Sequence, residues 1–136
     1  MTANQPARKK ILIVEDEPGL VTYLETLLQD NGYETVSAAD GQTAFEKLQS
    51  ERPDLVTLDI SIPQKSGVRF YRDLKEDPQL ASTPVIVVTA VTGYGGDPDE
   101  FRKFISTRKQ VPPPEGFIAK PVDREELLNL IKNLLP

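Results

Sequence analysis

No cysteine and no histidine occur among the 136 residues, and tryptophan is absent too. Without thiols there are no disulfides, thiolate nucleophiles or cysteine metal sites, and a cytoplasmic address is expected. Without imidazole there is no Ser-His-Asp triad, no histidine-ligated zinc and no histidine to carry a phosphoryl group. Long apolar runs are missing as well. The longest, Ile11-Leu12-Ile13-Val14 and Val85-Ile86-Val87-Val88, fall far short of the ~20 residues of a membrane helix, so no membrane partner is expected. Basic residues are in deficit: 16 Lys and Arg against 21 Asp and Glu give a formal charge of −5. Because those cations are scattered rather than striped, direct nucleic-acid binding is not expected. The apolar run after Arg8, Lys9 and Lys10 is too short for a secretory signal. Residues 1–8 are expected to be a disordered tail and 9–136 one domain, since 38% apolar content over this length supplies one core and not two.

What is present alternates. Ile11 to Val14, Leu55 to Leu58 and Val85 to Val88 are short, continuous apolar runs, the pattern of strands buried on both faces of a parallel sheet. Weaker candidates lie at Thr35 to Ala39 and Phe117 to Ala119. Between them Leu20, Leu24, Leu27 and Leu28, and then Gly41, Ala44, Phe45 and Leu48, recur at helical spacing. Pro18 suits a first helical turn, and Asn31-Gly32 suits a left-handed helix end. Asp40 and Ser66 are expected helix starters. Asp123 with Glu126 three residues on predicts a capping box for a last helix, Asp123 to Leu135. After the fourth strand comes Gly93-Tyr94-Gly95-Gly96, then a helix start at Asp97-Pro98-Asp99-Glu100 with Phe101, Phe104 and Ile105 on one face. Pro112-Pro113-Pro114 predicts a stiff connector to the fifth strand. Five alternations of strand and helix predict a doubly wound parallel sheet of the α/β class, with helices on both faces and right-handed crossovers.

In such a sheet, Glu15, Asp16 and Glu17 after the first strand and Asp59 after the third flank the crevice at the carboxyl ends. Two carboxylates about 5 Å apart at an effective dielectric of about 20 repel by roughly 3 kcal/mol, so the cluster needs a cation or raised pKa values. All-oxygen donors favour magnesium or a similar hard ion. Lys120, ending the fifth strand, adds a fixed positive charge. Glu17 reads better as a helix-start acid than as a metal ligand.

Four fragments taken together resemble the receiver domain of bacterial response regulators: Ile11 to Glu17, Leu58-Asp59-Ile60-Ser61-Ile62-Pro63 with Gly67, Val88-Thr89-Ala90, and Phe117-Ile118-Ala119-Lys120-Pro121. The resemblance runs from Lys9 to the C-terminus and implies a flavodoxin-like five-stranded sheet of order 2-1-3-4-5. It implies that Asp59 attacks a phosphohistidine on a histidine kinase or histidine phosphotransfer protein. Asp16 and Asp59 would bind Mg2+ directly, Ser61 through its backbone carbonyl and Glu15 through water. Lys120 and the Thr89 hydroxyl would pair with phosphoryl oxygens, and Thr89 would draw the Phe117 ring inward as the switch. A downstream protein target is implied without being named, and a homodimer is left open.

Phe117 lacks the phenolic hydroxyl of the commoner tyrosine. The Thr89 to Lys120 spacing of 31 residues (120 − 89) is long for the family, which makes Gly93 to Pro114 a candidate docking face. The 16 residues after Lys120 (136 − 120) suffice for a final helix, so no attached output domain is expected. Rival readings are a haloacid-dehalogenase-type phosphatase, a flavin carrier and an adaptor that is never phosphorylated. The first normally has a second aspartate where Ser61 stands, and the second would place a phosphate beside three acids. Val91 stands where some relatives carry a group that orients water, and from Ser61 and Val91 together slow self-dephosphorylation is expected. A phosphorylated half-life of mere seconds at neutral pH, or one no longer than that of Val91→Glu, would contradict it.

Overall fold

The short apolar runs do form strands, each bounded by the turn and cap chemistry around it. The structure is a computed structural model that describes residues 8–60, 67–90 and 113–136, with residues 89 and 90 described without their side chains. In chain order the elements are β1 (Lys10–Val14), α1 (Pro18–Asp30), β2 (Glu34–Ala38), α2 (Gly41–Glu51), β3 (Leu55–Leu58), α3 (Gly67–Glu76), β4 (Val85–Ala90), β5 (Gly116–Lys120) and α4 (Arg124–Leu134). All strand pairs are parallel, and the sheet order is β2-β1-β3-β4-β5. The expected doubly wound α/β architecture, with its strand order, is therefore present.

Alternate residues of a strand point to opposite faces, so each buried strand feeds two cores. Leu12, Val14, Val56, Leu58, Val85 and Val87 pack with Ala44 and Leu48 of α2 and Phe70, Tyr71 and Leu74 of α3. Ile11, Ile13, Leu55, Ile86, Val88 and Ile118 pack with Leu24 and Leu28 of α1 and Leu127 and Ile131 of α4. Burying each such leucine or isoleucine contributes about 1.5–3 kcal/mol. Leu20, Leu27 and Phe45, the remaining large side chains of the two expected stripes, are half-buried against these clusters.

Local chemistry ends the helices where the sequence predicts. Pro18 occupies the first turn of α1. At the other end the Tyr33 N–H donates to Leu28 O at 3.0 Å and the Gly32 N–H to Gln29 O at 3.1 Å, with Gly32 at φ +91°. This paired pattern satisfies carbonyls the helix would leave open, at a backbone angle that glycine adopts without strain. Asp40 caps α2 by accepting the Thr43 N–H at 2.7 Å, and Asp123 caps α4 by accepting the Glu126 N–H at 3.0 Å. Ser66, Ser61 and Val91, and Gly93 to Pro112 with the helix expected after Asp97, lie outside the described residues. So do residues 1–7 of the expected tail.

Gly67 opens α3 against the backbone of Ile60, the residue after Asp59. A Cβ placed there would stand 2.4 Å from Ile60 Cα. Helix propensity alone favours alanine over glycine by about 1 kcal/mol, whereas a forced shift of packed backbone costs about 1–3 kcal/mol. Gly67→Ala is thus expected to lower the urea-unfolding free energy despite its better propensity. A gain in stability would mean that α3 does not need this close approach.

Candidate functional site: an acidic basin at the strand ends

β1 and β3 are register neighbours, Val14 beside Leu58, and their hydrogen-bond ladders run one step past the strands. The Asp59 N–H donates to Val14 O at 2.9 Å, and the Glu15 N–H donates to Ala38 O at 3.0 Å. The backbone thereby fixes both acids at the sheet's carboxyl edge. Glu15 and Asp59 are each only 3% exposed, while Asp16 faces solvent. One carboxylate oxygen from each of Glu15, Asp16 and Asp59 lies within 4.8 Å of the others.

β5 supplies the opposing charge. Lys120 Nζ stands 3.1 Å from Glu15 Oε1 and 3.1 Å from Asp59 Oδ2. Burial alone would lower the Lys120 pKa, but the hydrogen bond and charge of Asp59, followed by those of Glu15, raise it on balance. Glu15 moves the other way from an ordinary carboxylate. Burial and then the negative charge of Asp59 push its pKa up to about 7, against the partial relief given by Lys120 and by the Glu17 N–H. That N–H donates to Glu15 Oε2 at 3.2 Å. Glu17 itself is the residue preceding α1, and its side chain accepts no cap hydrogen bond.

Of the other expected site residues, Ser61 lies outside the described residues, and strand register locates the backbone of Thr89 and Phe117. Thr89 pairs with Ala119 and Ala90 with Lys120, so the end of β4 adjoins the basin. Phe117 pairs with Val87 and is half-buried against the cluster beneath α2 and α3. The peptide bond from Lys120 to Pro121 is cis. Sequence reasoning did not foresee that Lys120 bridges two acids, or that Lys75 and Glu115 pair at the far end of the sheet. No motif marks the second pair, whose members stand 40 residues apart.

The donor chemistry fits a hard divalent cation. The three gathered groups are all carboxylates, and no thiol or imidazole exists in the chain to favour a softer ion.

Residues 11–132 match the model of the response regulator receiver domain, and the chain belongs to that family. Protein Rrf1 of Nitratidesulfovibrio vulgaris is 35% identical over 130 residues, which cover 96% of this chain and 83% of the relative. The polar-differentiation response regulator DivK of Brucella anthropi is 32% identical over 127 residues, 93% of this chain and 96% of DivK. The chain spans about half the length of two other curated relatives it matches, 48% and 51%. Among solved structures, the receiver domain of the sensor histidine kinase PA1611 from Pseudomonas aeruginosa superposes with a TM-score of 0.79 at 27% identity. The match covers 94% of this chain and 98% of that one, which holds a magnesium ion coordinated in its active site cleft. No described helix of the present chain is long and apolar enough to cross a membrane.

The raised Glu15 pKa makes stability depend on pH. A carboxyl that holds its proton more tightly when folded contributes stability that is fully present below its unfolded pKa and is lost as pH rises through the folded one. Without metal, the Glu15 contribution is expected to fall by up to about 3 kcal/mol between pH 4.5 and about 7. Urea unfolding in EDTA, parent against Glu15→Gln, isolates this contribution from the remaining carboxylates. Identical pH profiles for the two proteins would contradict it.

Proposed function

We propose that the chain, as one receiver domain over residues 9–136, is a phosphoacceptor switch of a two-component phosphorelay. It takes a phosphoryl group onto Asp59 from a phosphohistidine of a histidine kinase or histidine phosphotransfer protein. It then signals in the cytoplasm by contact with a protein target. The observation that carries this reading is the convergence of Glu15, Asp16 and Asp59 within 4.8 Å of one another, with Lys120 Nζ 3.1 Å from Asp59 Oδ2.

An Asp59 carboxylate oxygen forms the new P–O bond while the P–N bond of the phosphohistidine breaks, and its electron pair stays on the imidazole nitrogen. Asp59 is held by its backbone bond to Val14 and is almost fully buried, so the nucleophile is aimed before the donor arrives. Lys120 pairs with the carboxylate beforehand and is placed to pair with a phosphoryl oxygen afterwards. Asp16 and Asp59 would hold Mg2+ directly, Glu15 through water and Ser61 through its carbonyl. When bound, the ion neutralises charge on the phosphoryl oxygens. Thr89 donates its hydroxyl to the arrived phosphoryl group, and Phe117 answers by ring packing alone. The chain assists its own phosphorylation and dephosphorylation rather than turning over a separate substrate.

Incubation with acetyl phosphate and Mg2+, read by intact mass, tests this directly. The parent is expected to gain one phosphoryl group, Asp59→Asn none, and the parent in EDTA almost none. Equal gain by parent and Asp59→Asn would move the acceptor elsewhere, and no gain by the parent with Mg2+ present would remove the reading.

A further inference from the structure

At the end of the sheet opposite the acidic basin, Lys75 closes α3 with a side chain only 2% exposed. Its ammonium donates to four acceptors: Ala81 O at 3.2 Å, Thr83 O at 3.3 Å, and Glu115 Oε1 and Oε2 at 3.3 and 3.2 Å. Glu115 immediately precedes β5. Its Oε1 also accepts the Val85 N–H at 2.7 Å, and its own N–H donates to Val85 O at 3.0 Å. The ammonium gathers the last turn of α3 and the loop after it, and the carboxylate ties both, with the start of β4, to the start of β5.

Among the described residues β5 is an edge strand, hydrogen-bonded in the sheet to β4 alone. Such a strand is free to slip along its partner unless something fixes its register, and a slip of one residue moves every side chain by about 3.3 Å and to the opposite face. Lys120 is the last residue of that strand, five positions beyond Glu115. The other end of α3 abuts Ile60, beside Asp59, through Gly67. The helix therefore reaches from the backbone next to the nucleophile to the residue just before the strand of the catalytic lysine.

We infer that the Lys75–Glu115 ion pair is a positioning latch, which fixes the lengthwise register of β5 and so holds Lys120 against Asp59. Lys75 and Glu115 are positioning residues, since neither touches the reacting atoms. The alternative is an ion pair that supports only the stability of the fold. Only the Lys75 side is buried, at 2% exposure against 33% for Glu115, and desolvation of the ammonium offsets part of the attraction, so the pair is weak grounds for stability. The two roles therefore differ in what they move. The proposed metal ligands follow β1 and β3, and β5 meets them only through the Lys120 ammonium, a cation that competes with a metal for Glu15 and Asp59. Release of the latch displaces Lys120 but leaves Glu15 and Asp59 on their own backbone bonds, so phosphorylation slows while magnesium affinity does not fall, and that split belongs to positioning alone.

The kinetic part of this inference rests on the phosphoacceptor reading, and the closing experiment keeps the two apart. Parent, Glu115→Gln, Lys75→Met, the double variant and Lys75→Arg are compared as full chains at a temperature where urea curves show each folded. Glu115→Gln keeps an acceptor for the Val85 N–H, so it is the variant chosen to survive if Lys75→Met does not fold. Glu115→Gln and Lys75→Met are each expected to slow acetyl phosphate modification by about tenfold. The double variant should be no slower than either single one, Lys75→Arg should be near the parent, and magnesium affinity by calorimetry should not fall in any variant. Hydrogen exchange should show lost protection in β5 but not in β1 or β3. Equal rates in folded variants, or magnesium affinity falling in step with rate, would overturn the latch while leaving the phosphoacceptor reading intact. Were the parent itself unmodified, β5 exchange would decide: protection equal in all variants overturns the latch, and selective loss supports it.

Discussion

Three carboxylates confined to a basin a few ångströms across would drive one another apart in a flexible chain. They stay together here because backbone ladders, not side chains, set where they stand. The Asp59 N–H to Val14 and the Glu15 N–H to Ala38 are the last hydrogen bonds of a buried parallel sheet, and moving either acid would undo the pairing behind it. Lys120 supplies one positive charge between Glu15 and Asp59. That charge does not balance the three acids, and burial, followed by the charge of Asp59, still raises the Glu15 pKa. A site left electrostatically unsatisfied by its own protein is one whose charge a divalent cation can complete.

The doubly wound order explains why the basin lies where it does. The chain leaves β1 toward β2 on one side and returns to β3 on the other, so the helices after β1 and β3 diverge to opposite faces and leave a crevice between them. The same divergence gives each strand two cores, one beneath α2 and α3 and one beneath α1 and α4. Packing on both sides makes the central strands rigid. The edge strand β5, which brings Lys120, has a neighbour on one side only among the described residues, and there the ion pair of Lys75 with Glu115 adds a restraint that the sheet does not provide.

Much of this was legible in the residues. Continuous apolar runs of four, such as Ile11 to Val14, marked the buried strands, and Pro18, Asn31-Gly32, Asp40 and Asp123 marked helix ends to within a residue or so. These signals are local, set by backbone sterics and by hydrogen bonds that reach three or four positions. The acids were legible as a cluster because Glu15 and Asp59 each follow a strand, and strand ends in such a sheet share one edge. Glu17 was legible as a helix-start residue, although its side chain makes no cap bond.

The sequence by itself therefore determined the alternation of elements, the edge of the sheet on which the chemistry gathers, and the hard-ion character of its donors. Each of these depends on residue type and short-range spacing. Only the tertiary structure decided that Lys120 contacts Glu15 as well as Asp59, that Gly67 must clear the Ile60 backbone, and that Lys75 reaches across to Glu115. Those contacts join residues far apart in the chain, and their distances follow from how helices settle on the sheet, which no local pattern records.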